Sequence, residues 1–175
     1  MSHYLDSYKS IFLDINLHDF WTARKLIDNE MKLPSLKQLN DDLVQFWFER
    51  NHRDNHFYLP LLCVRTGLDL FFRANQFPSN SEVIMSAINI PSMVTLTQYH
   101  QLTVIPCDID RRTLKMKIED LKRLVTPRTV AIVYAHIYGR CVDVTDLVEF
   151  AEENHLYLIE DCAESFAGFC SCTAE

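Results

Sequence analysis

The sequence predicts an α/β fold, in which a mainly parallel sheet is covered by helices and preceded by an N-terminal helical segment. From residue 59 onward, short apolar runs alternate with helix-like stretches of about ten residues, which is typical of β-α-β units. The runs are continuously apolar, as expected for strands that helices cover on both faces. Residues 1–58 lack this alternation and space their apolar residues by three and four, which favours helices.

The N-terminal segment, residues 1–58, contains two predicted helices. They cover residues 19–32 and 36–52, and the sequence Leu33-Pro34-Ser35 separates them. We therefore expect two parts: a helical segment of residues 1–58 and a domain of residues 59–175.

The second part is predicted to alternate five strands with four helices. Its strongest strand is rich in β-branched and aromatic residues, and Pro91 marks the start of one helix. The predicted strands cover residues 59–64, 82–87, 102–110, 129–139 and 156–161. The predicted helices cover residues 68–74, 92–100, 117–125 and 144–154.

The composition excludes several classes of partner. The net charge of −7 and the lack of a basic patch argue against nucleic acid and anionic membranes. No apolar run is long enough to span a membrane, and the polar N-terminus lacks the core of a signal peptide. With only three glycines, a glycine-rich phosphate loop is not expected. The six scattered cysteines favour free thiols in a reducing compartment, so we expect a cytoplasmic protein without a metal site.

The carboxyl ends of the predicted strands hold the candidate ligand-binding residues, because ligands bind at that edge of open α/β sheets. Glu160 and Asp161 end the last strand, and a buried aspartate is costly unless a positive group meets it. A protonated ring nitrogen is one such group. A helix-capping role, or an ion pair within the chain, is the alternative.

Several motifs, in order, resemble the DegT/DnrJ/EryC1/StrS aminotransferase family. They are the strand "EVI", then "PCDID", "VTPRTVAIV", "HIYG" with "VDV" close behind, and "IEDCAES". The likeness covers roughly residues 60–169 of the sequence. It implies the three-layer α/β/α fold of the large domain in enzymes that depend on pyridoxal 5′-phosphate (PLP). Many of these enzymes aminate keto sugars linked to nucleotides, which are small-molecule substrates.

The resemblance also implies roles for four residues. Asp161 matches the aspartate that pairs with the pyridine nitrogen, and Glu164 falls near the phenolic oxygen of the cofactor. Thr66 and Gly67 lie near the turn whose backbone amides receive the phosphate, a favourable site for an anion at a helix start. A homodimer is expected on the same ground.

The sequence departs from the family at two positions that matter for activity. Ile90 stands where the family has the aromatic residue that stacks on the cofactor ring. None of the seven lysines, the last of which is Lys122, matches the Schiff-base lysine. We therefore expect a partial large domain, truncated before that lysine and inactive as a transaminase. The alternative is a non-catalytic remnant that acts as an interaction or scaffold protein.

Overall fold

The structure is a computed structural model that describes residues 21–22, 24–25, 28, 34–51 and 59–165. The chain divides into two compact units, residues 1–60 and 61–175. In the first unit, helix α1 spans Leu36–Asn51, and the Ser35 hydroxyl caps its start by accepting the Gln38 N–H at 3.1 Å. Of the predicted helix 19–32, the residues 21–22 and 24–25 are helical, and most of the remainder lies outside the described residues.

The second unit alternates helices and strands. Its elements in chain order are α2 (Val64–Asn75), β1 (Glu82–Ser86), α3 (Pro91–Tyr99), β2 (Thr103–Cys107), α4 (Ile118–Leu124), β3 (Thr129–Ala135), α5 (Thr145–Glu153) and β4 (Tyr157–Asp161). None of the helices in the described ranges is long and apolar enough to cross a membrane.

The four strands form one parallel sheet in the order β2-β1-β3-β4. The last residues of neighbouring strands lie side by side: Ser86 of β1 pairs with Cys107 of β2, and Ala135 of β3 pairs with Asp161 of β4. Parallel pairing therefore brings the loops after β1, β2, β3 and β4 to one edge of the sheet.

Helices cover both faces of this sheet, because successive side chains of a strand point to opposite faces. On one face, Ile84 and Ile132 pack in a core with Leu121 of α4 and Leu147 of α5. On the other face, Val83 and Val133 pack in a core with Leu68 and Phe72 of α2 and Met93 of α3. The continuous apolar runs are thus buried on both sides, which confirms the predicted three-layer α/β/α architecture.

The predicted strand 59–64 is wrong. Residues 59–63 are irregular, and α2 begins at Val64. From there Leu68 and Phe72, one helical turn apart, are buried together against the sheet. The prediction took the apolar run 59–64 for a strand, but its last residue, Val64, is the first residue of the helix that follows.

Two further predictions need correction. The strand predicted to reach residue 139 ends at Ala135, because the backbone turns away where Tyr138 and Gly139 adopt φ angles of 57° and 68°. Cys63, Cys107 and Cys162 are free, as expected, but Cys141 is disulfide-bonded. Cys141 lies half-buried in the loop after β3, outside any strand.

Candidate functional site

A cavity of about 200 Å³ lies at the carboxyl edge of the sheet. Its lining residues come from the loops or ends of three strands: Ile88–Ile90 after β1, Ala135–Tyr138 after β3, and Asp161, Ala163 and Glu164 after β4. The walls are mainly apolar, and a few polar groups are placed among them, as in small-molecule sites. This position agrees with the rule for ligands in open α/β sheets.

Asp161 is the buried carboxylate of this cavity, with 8% of its surface exposed. Its Oδ1 accepts a hydrogen bond from the Ala163 N–H at 3.0 Å, and its backbone oxygen accepts one from the His136 N–H at 2.9 Å. Oδ2 accepts no hydrogen bond from any residue in the described ranges, and no described cationic side chain pairs with Asp161. The carboxylate is therefore held in place with one oxygen free for a cationic donor.

Asn89 is a second polar residue of the cavity wall, and sequence reasoning gave it no role. Its Oδ1 accepts the Ile90 N–H at 2.8 Å, which fixes the orientation of the amide. Its Nδ2 is buried without a hydrogen-bond partner among the described residues. A buried donor without a partner costs free energy. A ligand that brings an acceptor to the Asn89 Nδ2 would therefore be stabilised in this part of the cavity.

Glu164 lines the same cavity as Asp161, so the structure brings these two predicted residues together. The Glu164 Oε2 accepts the backbone N–H of Tyr138 at 2.9 Å, across 26 residues of sequence. This hydrogen bond joins the loop after β4 to the loop after β3. At least one carboxylate oxygen of Glu164 is therefore engaged in a hydrogen bond within the protein.

Thr66 and Gly67 do not join them in that cavity. They lie in the first turns of α2, not at the end of a strand, and their backbone N–H groups donate to the Cys63 oxygen at 3.1 and 3.4 Å. Thr66 lines a second, open cavity of about 760 Å³, together with Arg65 and Ser92. Ile90, which directly precedes α3, lines the first cavity, and Ser92, in the first turn of α3, lines the second.

His136, Glu160 and Cys162 form a cluster beside the cavity, and their ligand-type atoms lie within 4.8 Å of one another. His136 Nε2 lies 2.5 Å from Glu160 Oε1, and its Nδ1 accepts the Val142 N–H at 3.2 Å. A neutral ring with an acceptor at Nδ1 carries its proton on Nε2.

The charged form of His136 leads to the same position of the proton. Burial lowers the pKa of His136, but the hydrogen bonds with Cys162 and Glu160 outweigh it and raise the pKa to about 9. The charged ring has a proton on both nitrogens and could not accept the Val142 N–H at Nδ1, so the observed hydrogen bond belongs to the neutral ring. In either form Nε2 carries a proton directed at Glu160, so this cluster suits a histidine–carboxylate pair better than a metal ion.

The polar groups of the first cavity fit the pyridine ring of PLP. Asp161 offers a buried acceptor for a protonated ring nitrogen, Asn89 offers a donor for the phenolic oxygen attached to the ring, and Ile88 and Ile90 offer apolar walls. When bound, PLP supplies an electron sink for amino transfer. Asp161 was predicted from its place at the end of a strand. Asn89 follows the predicted strand 82–87 and His136 lies near the end of the predicted strand 129–139, but nothing in their neighbouring sequence indicates their contacts.

Comparisons with known proteins agree with this fold. The model of the DegT/DnrJ/EryC1/StrS aminotransferase family matches residues 64–170. GDP-perosamine synthase from Escherichia coli O157:H7 is 34% identical over 100 residues, which are 57% of this chain and 28% of that protein. L-glutamine:2-deoxy-scyllo-inosose aminotransferase from Streptomyces lividus is 46% identical over 108 residues, 61% of this chain and 25% of that protein.

A solved structure extends the likeness in fold. It is that of GDP-4-keto-6-deoxymannose-3-dehydratase with a trapped PLP-glutamate geminal diamine; it is 21% identical, with a TM-score of 0.70 over 91% of this chain and 42% of that chain. The chain spans about a quarter of the length of each of these two curated relatives. The family match covers more than half of the chain, from α2 to beyond β4. The chain therefore belongs to the DegT/DnrJ/EryC1/StrS aminotransferase family.

Proposed function

We propose that this chain forms the part of a PLP site that holds the pyridine ring, in a protein of the type that transfers an amino group to a keto sugar. The observation that carries the proposal is the buried Asp161 carboxylate, which has one oxygen without a partner among the described residues and which lines the cavity. Two relatives named for aminated sugars or sugar-like rings, GDP-perosamine synthase and the 2-deoxy-scyllo-inosose aminotransferase, support a keto sugar or a related ring as the substrate class.

The role proposed for these residues is binding and orientation of the cofactor ring. The Asp161 carboxylate would hold the ring nitrogen in its protonated state, the state in which the bound ring would supply an electron sink. The Ala163 N–H fixes the orientation of that carboxylate. No lysine is among the described residues that line the cavity, so we assign no proton-transfer step to a lysine. A homodimer and a cytoplasmic location remain predictions.

A direct test titrates the purified chain with pyridoxamine 5′-phosphate. This compound keeps the pyridine ring and the phosphate of PLP but lacks the aldehyde, so it cannot condense with surface lysines. We expect saturable binding, followed by calorimetry or by the fluorescence of the ring. Asp161→Asn should weaken this binding roughly tenfold or more, because it replaces a charge-assisted hydrogen bond by a neutral one.

Asp108→Asn is the matched control. Asp108 directly follows β2, is exposed and does not line the cavity, so the same chemical change there should leave binding unaltered. If the wild-type chain does not bind the compound, or if both variants bind as the wild type does, the proposal is wrong. The role as a non-catalytic interaction protein would then be the better account.

A further inference from the structure

Tyr138 and Glu164 form a unit at the mouth of the cavity. We infer that the Tyr138 ring packs against the planar ring of the bound ligand, and that Glu164 is a positioning residue that holds Tyr138 there. This inference rests on the proposed function, since the ligand ring is that of a PLP-type compound. It differs from the role that the family resemblance gives Glu164, which is contact with the phenolic oxygen of the cofactor.

The backbone of Tyr138 is in an unusual conformation. Its φ angle is 57°, and that of Gly139 is 68°, so two successive residues adopt the left-handed region. Glycine reaches this region freely, but a residue with a Cβ is disfavoured there and needs support from its surroundings. The support comes from Glu164, whose carboxylate accepts the Tyr138 N–H at 2.9 Å. A hydrogen bond to a charged acceptor is among the stronger ones.

The side chain of Tyr138 is available to a ligand. It lines the cavity and is 64% exposed. Among the lining residues it has the one phenyl-type ring; the other aromatic side chain, His136, is fully buried and hydrogen-bonded to Glu160. Ile90 stands where the resemblance implies a stacking aromatic residue, and the Tyr138 ring supplies an aromatic surface to the same cavity.

In this arrangement Tyr138 and Glu164 have different roles. Tyr138 contacts the ligand, whereas Glu164 acts through Tyr138. Removal of either one should then have related effects, and removal of both should have no more effect than removal of Tyr138 alone. Direct contact of the Glu164 charge with the ligand would give independent, additive effects instead.

The test is a double-mutant cycle with pyridoxamine 5′-phosphate as the probe. Tyr138→Ala should weaken binding roughly threefold to tenfold, the range of an aromatic pair. Glu164→Ala should weaken it by a similar or smaller factor, and the double variant should match Tyr138→Ala. Glu164→Gln should bind nearly as the wild type does, because its amide oxygen still accepts the Tyr138 N–H.

Tyr99→Ala serves as the control, since Tyr99 is also exposed and lines the second cavity but not the first. It should leave binding unchanged. Additive losses in the double variant, or a Glu164→Gln variant as weak as Glu164→Ala, would overturn the positioning role. Wild-type binding by Tyr138→Ala would overturn the contact role.

A second measurement does not depend on the ligand. Amide hydrogen exchange at Tyr138 should become roughly fivefold or more faster in Glu164→Ala than in the wild type, and should stay near the wild-type rate in Glu164→Gln. Unchanged exchange in Glu164→Ala would overturn the role of Glu164. Absence of probe binding by the wild-type chain would contradict the proposed function and the contact role of Tyr138 together, while the exchange rates would still decide whether Glu164 holds the loop.

Discussion

Each of the two ends of the sheet buries a carboxylate, and the two carboxylates differ in their hydrogen-bond and ion-pair partners. Glu82 begins β1 at the amino edge and is 3% exposed; Thr126 and Thr129 hydroxyls donate to its Oε2, and Arg128 forms an ion pair with its Oε1. Asp161 ends β4 at the carboxyl edge and accepts one side-chain hydrogen bond among the described residues, from Ala163. The charge of Glu82 is neutralised by Arg128, whereas no cationic side chain among the described residues pairs with Asp161.

This difference separates a structural carboxylate from a ligand-binding one. Burial alone would mark both residues as unusual, because carboxylates are seldom buried without partners. The partners distinguish them: a complete set of donors indicates a role in stability, and a free oxygen facing a cavity indicates a role in binding.

The largest expected effect comes from replacing each carboxylate by its amide. Glu82→Gln should lower the free energy of unfolding by about 2 kcal/mol, because an NH₂ group replaces an acceptor that faces hydroxyl and guanidinium donors. Asp161→Asn should change it by less than about 0.5 kcal/mol, since the amide oxygen still accepts the Ala163 N–H. Chemical denaturation followed by far-UV circular dichroism measures both.

Binding of pyridoxamine 5′-phosphate should show the opposite order, with Glu82→Gln unchanged and Asp161→Asn weakened. Glu119→Gln is a surface control, because the Glu119 side chain is 74% exposed. Equal losses of stability in the two variants would remove the distinction between the two ends of the sheet.

A smaller effect is expected from acid. Hydrogen bonds from Thr126 and Arg128 hold the pKa of Glu82 below its ordinary value of 4.5. A carboxylate whose pKa is lowered on folding contributes stability above the unfolded pKa, and this contribution is lost as the pH falls through the folded value. The wild type should therefore lose more stability than Glu82→Gln as the pH falls below the ordinary carboxyl pKa of 4.5.

The pH dependence of the wild type must be compared with that of Glu82→Gln, because other acidic residues also have a lowered pKa. Asp69, Asp110, Asp143 and Glu160 do so, and they titrate alike in the wild type and in Glu82→Gln. Parallel pH profiles for the two chains would show that the hydrogen bonds to Glu82 do not depend on its charge.

The smallest effect is expected from Arg128→Met, which removes the ion-pair partner of Glu82 but leaves both threonine hydroxyls. The Arg128 side chain is 67% exposed, so solvent screens its charge and the loss should be about 1 kcal/mol or less. If Arg128→Met lowers the free energy of unfolding as much as Glu82→Gln does, the buried charge of Glu82 is stabilised mainly by Arg128 and not by the threonine hydroxyls.

Sequence reasoning reached the helices and strands from residue 82 onward, since their apolar runs and amphipathic stretches are local properties. It also placed Asp161 at the end of a buried strand. It missed the helical start at Val64, because the burial of Leu68 and Phe72 against the sheet decides that segment. Thr66 and Gly67 lie at the start of α2, and Thr66 lines a different cavity from Asp161, so their role in holding a phosphate stays a prediction.

The sequence by itself determined the α/β architecture, the family and the position of Asp161 at a strand end, because these depend on composition, periodicity and local motifs. Only the tertiary structure decided which carboxylate finds its partners within the chain. The contacts of Glu82 with Thr126, of His136 with Glu160 and of Tyr138 with Glu164 span 44, 24 and 26 residues. Such contacts depend on strand order and register, and no local pattern of residues encodes them.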